Sequence, residues 1–185
     1  VRYCSPSIGV AHCRCLRARR LGAGNKAADA VILEIEVDKT AWKEVPDPET
    51  LLRRAAGATE TALGKDLSQT VLTISLATDD EVAQLNKQWR NKTGPTNVLS
   101  FPAAPAMPLP PGEPRPLGVI ILAAGVVKCE AEQQDKSLED HLVHLAVHGI
   151  LHLMDYDHIS ESEAAKMESL EVDILNVLGI ANPYA

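Results

Sequence analysis

The stretch V-H-G-I-L-H-L-M-D-Y-D-H, Val147–His158, holds three of the chain's six histidines. His148 and His152 are four residues apart. On a helix that spacing puts both rings on one face, about 6 Å apart along the axis. Met154-Asp155-Tyr156-Asp157 then breaks the apolar pattern, and such a break can swing His158 back over the same point. Zinc takes imidazole nitrogens at about 2 Å in a tetrahedron, and three protein ligands leave one position open, as in catalytic sites. An ion held that way brings the pKa of its water to about 7 and suits hydrolysis at phosphorus or carbonyl carbon. The competing reading of the pair alone is two partly buried imidazoles. The third histidine, placed after the break, favours one Zn2+ per chain held by His148, His152 and His158. Nickel, copper and iron(II) also accept three imidazoles.

Around this cluster, His144 lies one turn before His148. It reads as a group that supports a metal ligand, as a proton carrier, or as a satisfied half-buried histidine. His141 is expected to face solvent, and His12 stays unassigned. Asp157 either bonds the free nitrogen of a metal histidine or caps the chain ahead of His158.

Working outward, Ser137 with Asp140 and Ser160 with Glu163 have the spacing of capping boxes. They predict helices over Leu138–Met154 and Glu161–Leu178, after one over Ala124–Gln134. Upstream, V-I-L-E-I-E-V (Val31–Val37) alternates apolar and acidic residues like a half-buried strand. T-V-L-T-I-S-L-A (Thr70–Ala77) is rich in β-branched residues, N-V-L-S-F-P (Asn97–Pro102) reads as a short strand, and L-G-V-I-I-L-A (Leu117–Ala123) reads as a buried one. Asp47 with Pro48 opens a helix to about Leu63. Thr78 with Asp79, Asp80 and Glu81 opens another that ends near Arg90. Seven prolines between Pro102 and Pro116 predict a stiff exposed loop, because proline cannot join a ladder or a helix interior. Four strands mixed with helices, followed by a helical C-terminal half, predict a single α+β domain with one mixed sheet of about four strands and helices packed around it.

The chain has 185 residues, a formal charge of −7, 45% hydrophobic residues and 3% aromatic ones. Its core must therefore be built mainly of Ala, Val, Leu and Ile. No apolar run reaches the roughly 18–20 residues of a membrane span, and no signal peptide is evident. A cytoplasmic protein with no membrane partner is expected. Before Asp29 lie Arg2, Arg14, Arg17, Arg19, Arg20 and Lys26 and no acid, so the rest carries 12 basic and 25 acidic residues. Residues 1–29 read as a disordered basic extension or as translated sequence upstream of the true start, with a targeting or RNA-binding arm as the alternative. The domain is expected over 30–185. An acidic body argues weakly against nucleic acid, yet a ligand feels the local field rather than the sum. Cys4, Cys13, Cys15 and Cys129 do not form a disulfide framework.

Arg90 is the candidate catalytic residue. A guanidinium forks onto phosphate oxygens and offsets charge gained during attack. The plain alternative is an arginine that complements the end of a helix. Trp89 could stack on a base of single-stranded RNA, although a packing role weighs more, and Lys92 could line a groove with Lys87 and Arg115. The histidine spacing also occurs in zinc proteases of the H-E-x-x-H-x-x-G-x-x-H type. Here Gly149 stands where those enzymes carry the glutamate base, which disfavours peptide hydrolysis. Gly149 is expected instead to let another backbone, or the substrate, pack close.

The chain resembles the YbeY family, bacterial zinc-dependent endoribonucleases and rRNA maturation factors. The family signature H-G-x-L-H-L-x-G-Y-D-H is matched by His148–His158, with Asp155 in place of glycine. Leu85–Arg90 is similar to its L-N-x-x-x-R segment, Thr96–Pro102 to T-[DN]-V-L-S-F-P, and Met167–Tyr184 to its last helix and tail. The resemblance spans about Val31–Tyr184. It implies zinc on the three histidines, Arg90 as the functional arginine, and an α+β fold. It also implies ribosomal RNA as substrate, with small-subunit rRNA end processing, ribosome quality control, and the small subunit or its assembly proteins as partners. Val119 stands where the family has Asp in L-G-D-I-[VI]. That departure sustains the alternative of a non-catalytic, zinc-stabilised ribosome-assembly factor. A metallopeptidase is the remaining alternative.

Overall fold

A computed structural model describes residues 30–104, 109–110 and 112–185. The basic segment 1–29 and part of the proline-rich stretch lie outside them. The elements run β1 (Ile32–Val37), α1 (Pro48–Leu63), β2 (Thr70–Ala77), α2 (Asp79–Arg90), β3 (Val98–Pro102), β4 (Arg115–Ala123), α3 (Ala124–Gln133), α4 (Leu138–Leu153) and α5 (Glu161–Val177).

Local chemistry sets most of these bounds. Asp47 accepts from the Thr50 amide and Pro48 opens α1, where its missing N–H costs nothing. Thr78 with Glu81, and Ser160 with Glu163, form complete capping boxes for α2 and α5. Ser137 caps α4 through the Asp140 amide alone; an aspartate in that position is one methylene shorter than the glutamate that returns the bond in the other two. Asn91 closes α2 in left-handed backbone.

The four strands form one mixed sheet in the order β1-β2-β4-β3. β1 and β2 are parallel, β2 and β4 are parallel, and β3 is antiparallel to β4. β4 begins two residues earlier than the sequence suggests, and Pro116 sits within it, opposite Val71. The register shifts between Val71 and Leu72 at this point. A bulge leaves one residue outside the ladder pattern, and that is where a strand tolerates proline.

Period-two alternation gives the sheet two different faces. Leu72, Ile74, Leu76, Ile120, Leu122 and Val98 point into the main core with residues of α1, α4 and α5. Leu99, Phe101 and Ile121 point the other way and pack with Val82 and Leu85 of α2. Each fully buried aliphatic side chain adds about 1.5–3 kcal/mol of burial energy. α4 lies at the centre, against α1, α3, α5, β3 and β4. A Cβ on its Gly149 would meet Ile120 Cδ1 at 2.9 Å and Ser100 Oγ at 3.1 Å. The close approach expected at Gly149 is therefore real, and its protein partners are sheet side chains rather than a second backbone.

Among the described residues no helix is long and apolar enough to cross a membrane.

Candidate metal centre

α4 presents His141, His144, His148 and His152 along one side, and the end of the helix sets the third ligand. Asp155 N–H bonds the His152 carbonyl at 3.2 Å and Tyr156 N–H bonds the Leu151 carbonyl at 3.0 Å. These are the two bonds of a Schellman motif, which needs a left-handed residue between them. Asp155 supplies it with φ of 66°, at a cost of about 1 kcal/mol for a residue with a side chain. The turn reverses the chain, and His158 comes back over α4. Ligand atoms of His148, His152 and His158 lie within 4.8 Å of one another.

The proton positions on two of these rings follow from their partners. His148 Nδ1 is 2.8 Å from Glu171 Oε1. Glu171 is ionised, as its low pKa described below shows, and a carboxylate only accepts. His152 Nδ1 is 3.0 Å from the Tyr156 carbonyl oxygen, which also only accepts. Each of these two rings therefore carries a proton on Nδ1. Their Nε2 atoms face each other at 3.1 Å. At that distance the two nitrogens share either a proton or a metal ion. Two nitrogens on a tetrahedral zinc, each at about 2.0–2.1 Å, stand roughly 3.3 Å apart. The donor set thus fits a divalent metal. Burial, followed by the charges of His148 and His158, pushes His152 down to about 4, which keeps it unprotonated at neutral pH. Burial and His148 lower His158 in the same direction.

Glu171 was not visible as a site residue in the motif. It is fully buried on α5, and its Oε2 also accepts from His144 Nε2 at 3.1 Å and from the Tyr184 hydroxyl. Burial raises its pKa, but the hydrogen bonds from His144, His148 and Tyr184 and the charge of His148 outweigh that and leave it at about 2. Tyr184 is pushed up, first by burial and then by the carboxylate it donates to. The available signal was positional: Glu171 occupies the helix stripe of Met167, Ile174 and Leu175, which are all buried.

The remaining expected residues separate. His144 shares Glu171 with His148. His141 does not face solvent; it is 3% exposed and bonds Glu130 of α3 at 2.9 Å. Asp157 caps the chain, accepting from the His158 amide at 2.8 Å, while its carboxylate stays 3.6 Å from His158 Nδ1. Arg90 ends α2 and is partly exposed, and among the described residues it joins no ion pair with the histidine cluster. Trp89 is 54% exposed and sets its edge against Phe101, while Lys92 is exposed. Val119 alternates with Ile120 and so faces away from α4. A glutamate at position 149 would run into Ile120, so the general base of the zinc proteases has no room here.

A cleft of about 310 Å³ opens beside His148, lined among others by Asn97, Glu130, His141, His144 and Tyr184. Asn97 bonds Glu130 at 3.0 Å and the Val98 amide at 2.7 Å, so it shapes the loop that leads from α2 into β3.

The family model described as Endoribonuclease YbeY matches residues 35–179. A relative named Endoribonuclease YbeY from Novosphingobium aromaticivorans is 46% identical, over 84% of this chain and 97% of its own. One of the same name from Paramagnetospirillum magneticum is 45% identical, over 83% and 97%. A third, from Rhodopseudomonas palustris, is 43% identical over 82% and 80%. The solution structure of TM1509 from Thermotoga maritima superposes with a TM-score of 0.47 at 21% identity, covering 78% of this chain and 91% of that one. With a family model spanning most of its length and relatives above 40% identity along 80–97% of theirs, the chain belongs to the YbeY family.

Proposed function

We propose that this chain is a metal-dependent endoribonuclease that cuts single-stranded RNA, with zinc held by His148, His152 and His158. One observation carries the proposal: ligand atoms of His148, His152 and His158 lie within 4.8 Å of one another, with the His148 and His152 Nε2 atoms 3.1 Å apart. The family relatives, named as endoribonucleases, supply the reaction class. A divalent metal bound there provides Lewis-acid activation of water and of a phosphodiester at neutral pH.

The protein's own groups have separate tasks. Glu171 and the Tyr156 carbonyl hold the two α4 rings in the ligating tautomer. Arg90 offsets the charge that builds on the scissile phosphate. Trp89 and Lys92, both exposed near the end of α2, contact the flanking RNA by stacking and by charge. Water and the neighbouring ribose 2′-hydroxyl are both competent nucleophiles, and the product ends separate them. A 2′,3′-cyclic phosphate marks internal attack, and a 5′-phosphate marks water. The substrate proposed is ribosomal RNA in small-subunit end processing and quality control in the cytoplasm, on or beside the small subunit and its assembly proteins. The resemblance of Leu85–Pro102 and His148–His158 to the family's blocks supports that assignment.

The test is cleavage of single-stranded RNA by purified protein beside an Arg90→Ala variant, with and without chelator. The wild type should cleave, chelator should stop it, and Arg90→Ala should lose about 10²–10³ in rate while it still binds metal. Equal cleavage by both proteins would identify a contaminating nuclease. RNA binding without cleavage would leave a metal-stabilised assembly factor.

A further inference from the structure

Glu171 ties three separate parts of the chain to one point. Its Oε1 receives the His148 Nδ1 proton at 2.8 Å. Its Oε2 receives His144 Nε2 at 3.1 Å and the hydroxyl of Tyr184, seven residues beyond α5. The carboxylate is fully buried, so its orientation is set by these three donors and not by solvent. Tyr184 is itself fastened. Its amide bonds Asn182 Oδ1 at 2.8 Å, its ring meets His144 edge-on at 5.9 Å, and Lys136 Nζ bonds the Pro183 carbonyl at 3.1 Å. The tail after α5 thus turns back and ends on the carboxylate that touches a candidate ligand.

We propose that Glu171 and Tyr184 form a positioning pair for the metal: the tail after α5 orients Glu171, and Glu171 fixes the His148 ring in the orientation in which its Nε2 would serve as a ligand. The proposal rests on the reading of His148, His152 and His158 as a metal site. A carboxylate on the far nitrogen of a ligating imidazole fixes the tautomer and ring orientation and raises its basicity. Removing the Tyr184 hydroxyl leaves Oε2 with His144 alone, so the carboxylate can rotate and the His148 ring can follow.

The rival account is a buried polar cluster that only joins α4, α5 and the tail. That cluster would change the stability of the metal-free protein and leave the affinity of the folded protein for metal unchanged. The two separate when Zn2+ affinity is measured by competition with a chromophoric chelator on full-length wild type, Glu171→Gln and Tyr184→Phe. Co2+ d–d spectra and metal-free melting curves are recorded on the same samples. Glu171→Gln should bind Zn2+ about 10–100-fold more weakly with a shifted Co2+ spectrum. Tyr184→Phe should weaken binding by the folded protein several-fold in the same direction, besides lowering metal-free melting through the lost hydrogen bond. If Glu171→Gln does not fold, Tyr184→Phe decides alone, since it removes one oxygen from a partly exposed ring. Folded variants that bind Zn2+ within two-fold of wild type, with identical Co2+ spectra, would overturn the proposal. Wild type that binds no divalent metal would instead overturn the metal reading, and the positioning pair with it.

Discussion

His148 and His152 point their Nε2 atoms at each other across 3.1 Å, while Glu171 and the Tyr156 carbonyl occupy the opposite nitrogens. The three rings come together only in the folded chain. Metal should therefore stabilise the fold. At a free metal concentration 100 times the dissociation constant, the gain is about 2.7 kcal/mol, or roughly 5–10 °C for a chain of this size. His152→Ala should abolish the shift, and His158→Ala should reduce metal content well below one per chain. Scanning calorimetry with metal analysis on untagged protein checks both. Full stoichiometric metal after all three histidines are changed would refute the assignment.

Asp155 occupies the left-handed position of the Schellman motif that ends α4, with φ of 66°. Glycine reaches that conformation without steric cost, although it adds freedom to the unfolded chain. Asp155→Gly should stabilise the protein by about 0.5–1 kcal/mol, raising Tm by roughly 2–4 °C. The metal affinity should hold, because the bonds of the turn are made by backbone. A lower Tm would mean that the aspartate side chain does work that its backbone strain conceals.

The places where sequence reasoning succeeds and fails follow the range of the interactions involved. Helix starts at Asp47, Thr78 and Ser160 are legible because cap and capped amide lie within three residues. The cluster of His148, His152 and His158 is legible because all three come from one helix end. His141 is misread because its partner, Glu130, lies on the preceding helix across a turn, and only the packing of α3 on α4 brings them together. Glu171 is 23 residues from His148. Only its place on an otherwise apolar stripe of α5 hints that its charge must be satisfied inside. Pro116 breaks the rule that excludes proline from ladders, and the bulge that admits it is a property of the β2–β4 register rather than of either strand.

The protonation state of the cluster predicts how the metal-free protein responds to acid. His152 has a folded pKa of about 4 against an ordinary value of 6.5. Below 6.5 the unfolded chain binds a proton that the folded ring refuses, so stability is full above 6.5 and falls as the pH drops toward 4. The loss by pH 4.5 is on the order of 2 kcal/mol, and His141 and His158, both lowered by burial, act in the same direction. Glu171, at about 2 when folded and 4.5 ordinarily, contributes stability that is lost only below 4.5. The two windows are therefore distinct. Urea titrations in chelator from pH 7.5 to 4.5 should show the decline, and His152→Gln should make it shallower. A flat profile across that window would contradict the burial of these rings as neutral imidazoles.

Gly149 packs α4 closely against the sheet, and a double-mutant cycle can measure the contact. A Cβ there would meet Ile120 Cδ1 at 2.9 Å and Cγ2 at 3.1 Å. Overpacking of this kind costs about 1–3 kcal/mol, so Gly149→Ala should destabilise by that amount even though alanine is the better helix former by about 1 kcal/mol. Ile120→Val removes the Cδ1 methyl and alone should cost about 0.5–1.5 kcal/mol. In the double variant the new methyl enters the space that the lost one leaves. Its destabilisation should therefore be smaller than the sum of the singles by at least about 0.5 kcal/mol, read from urea midpoints at constant m-value. Strict additivity would show that the helix relieves the contact by moving off the sheet as a rigid body. In that case Gly149→Ala should also disturb the neighbouring His148, and metal affinity would fall in the single variant without recovering in the double.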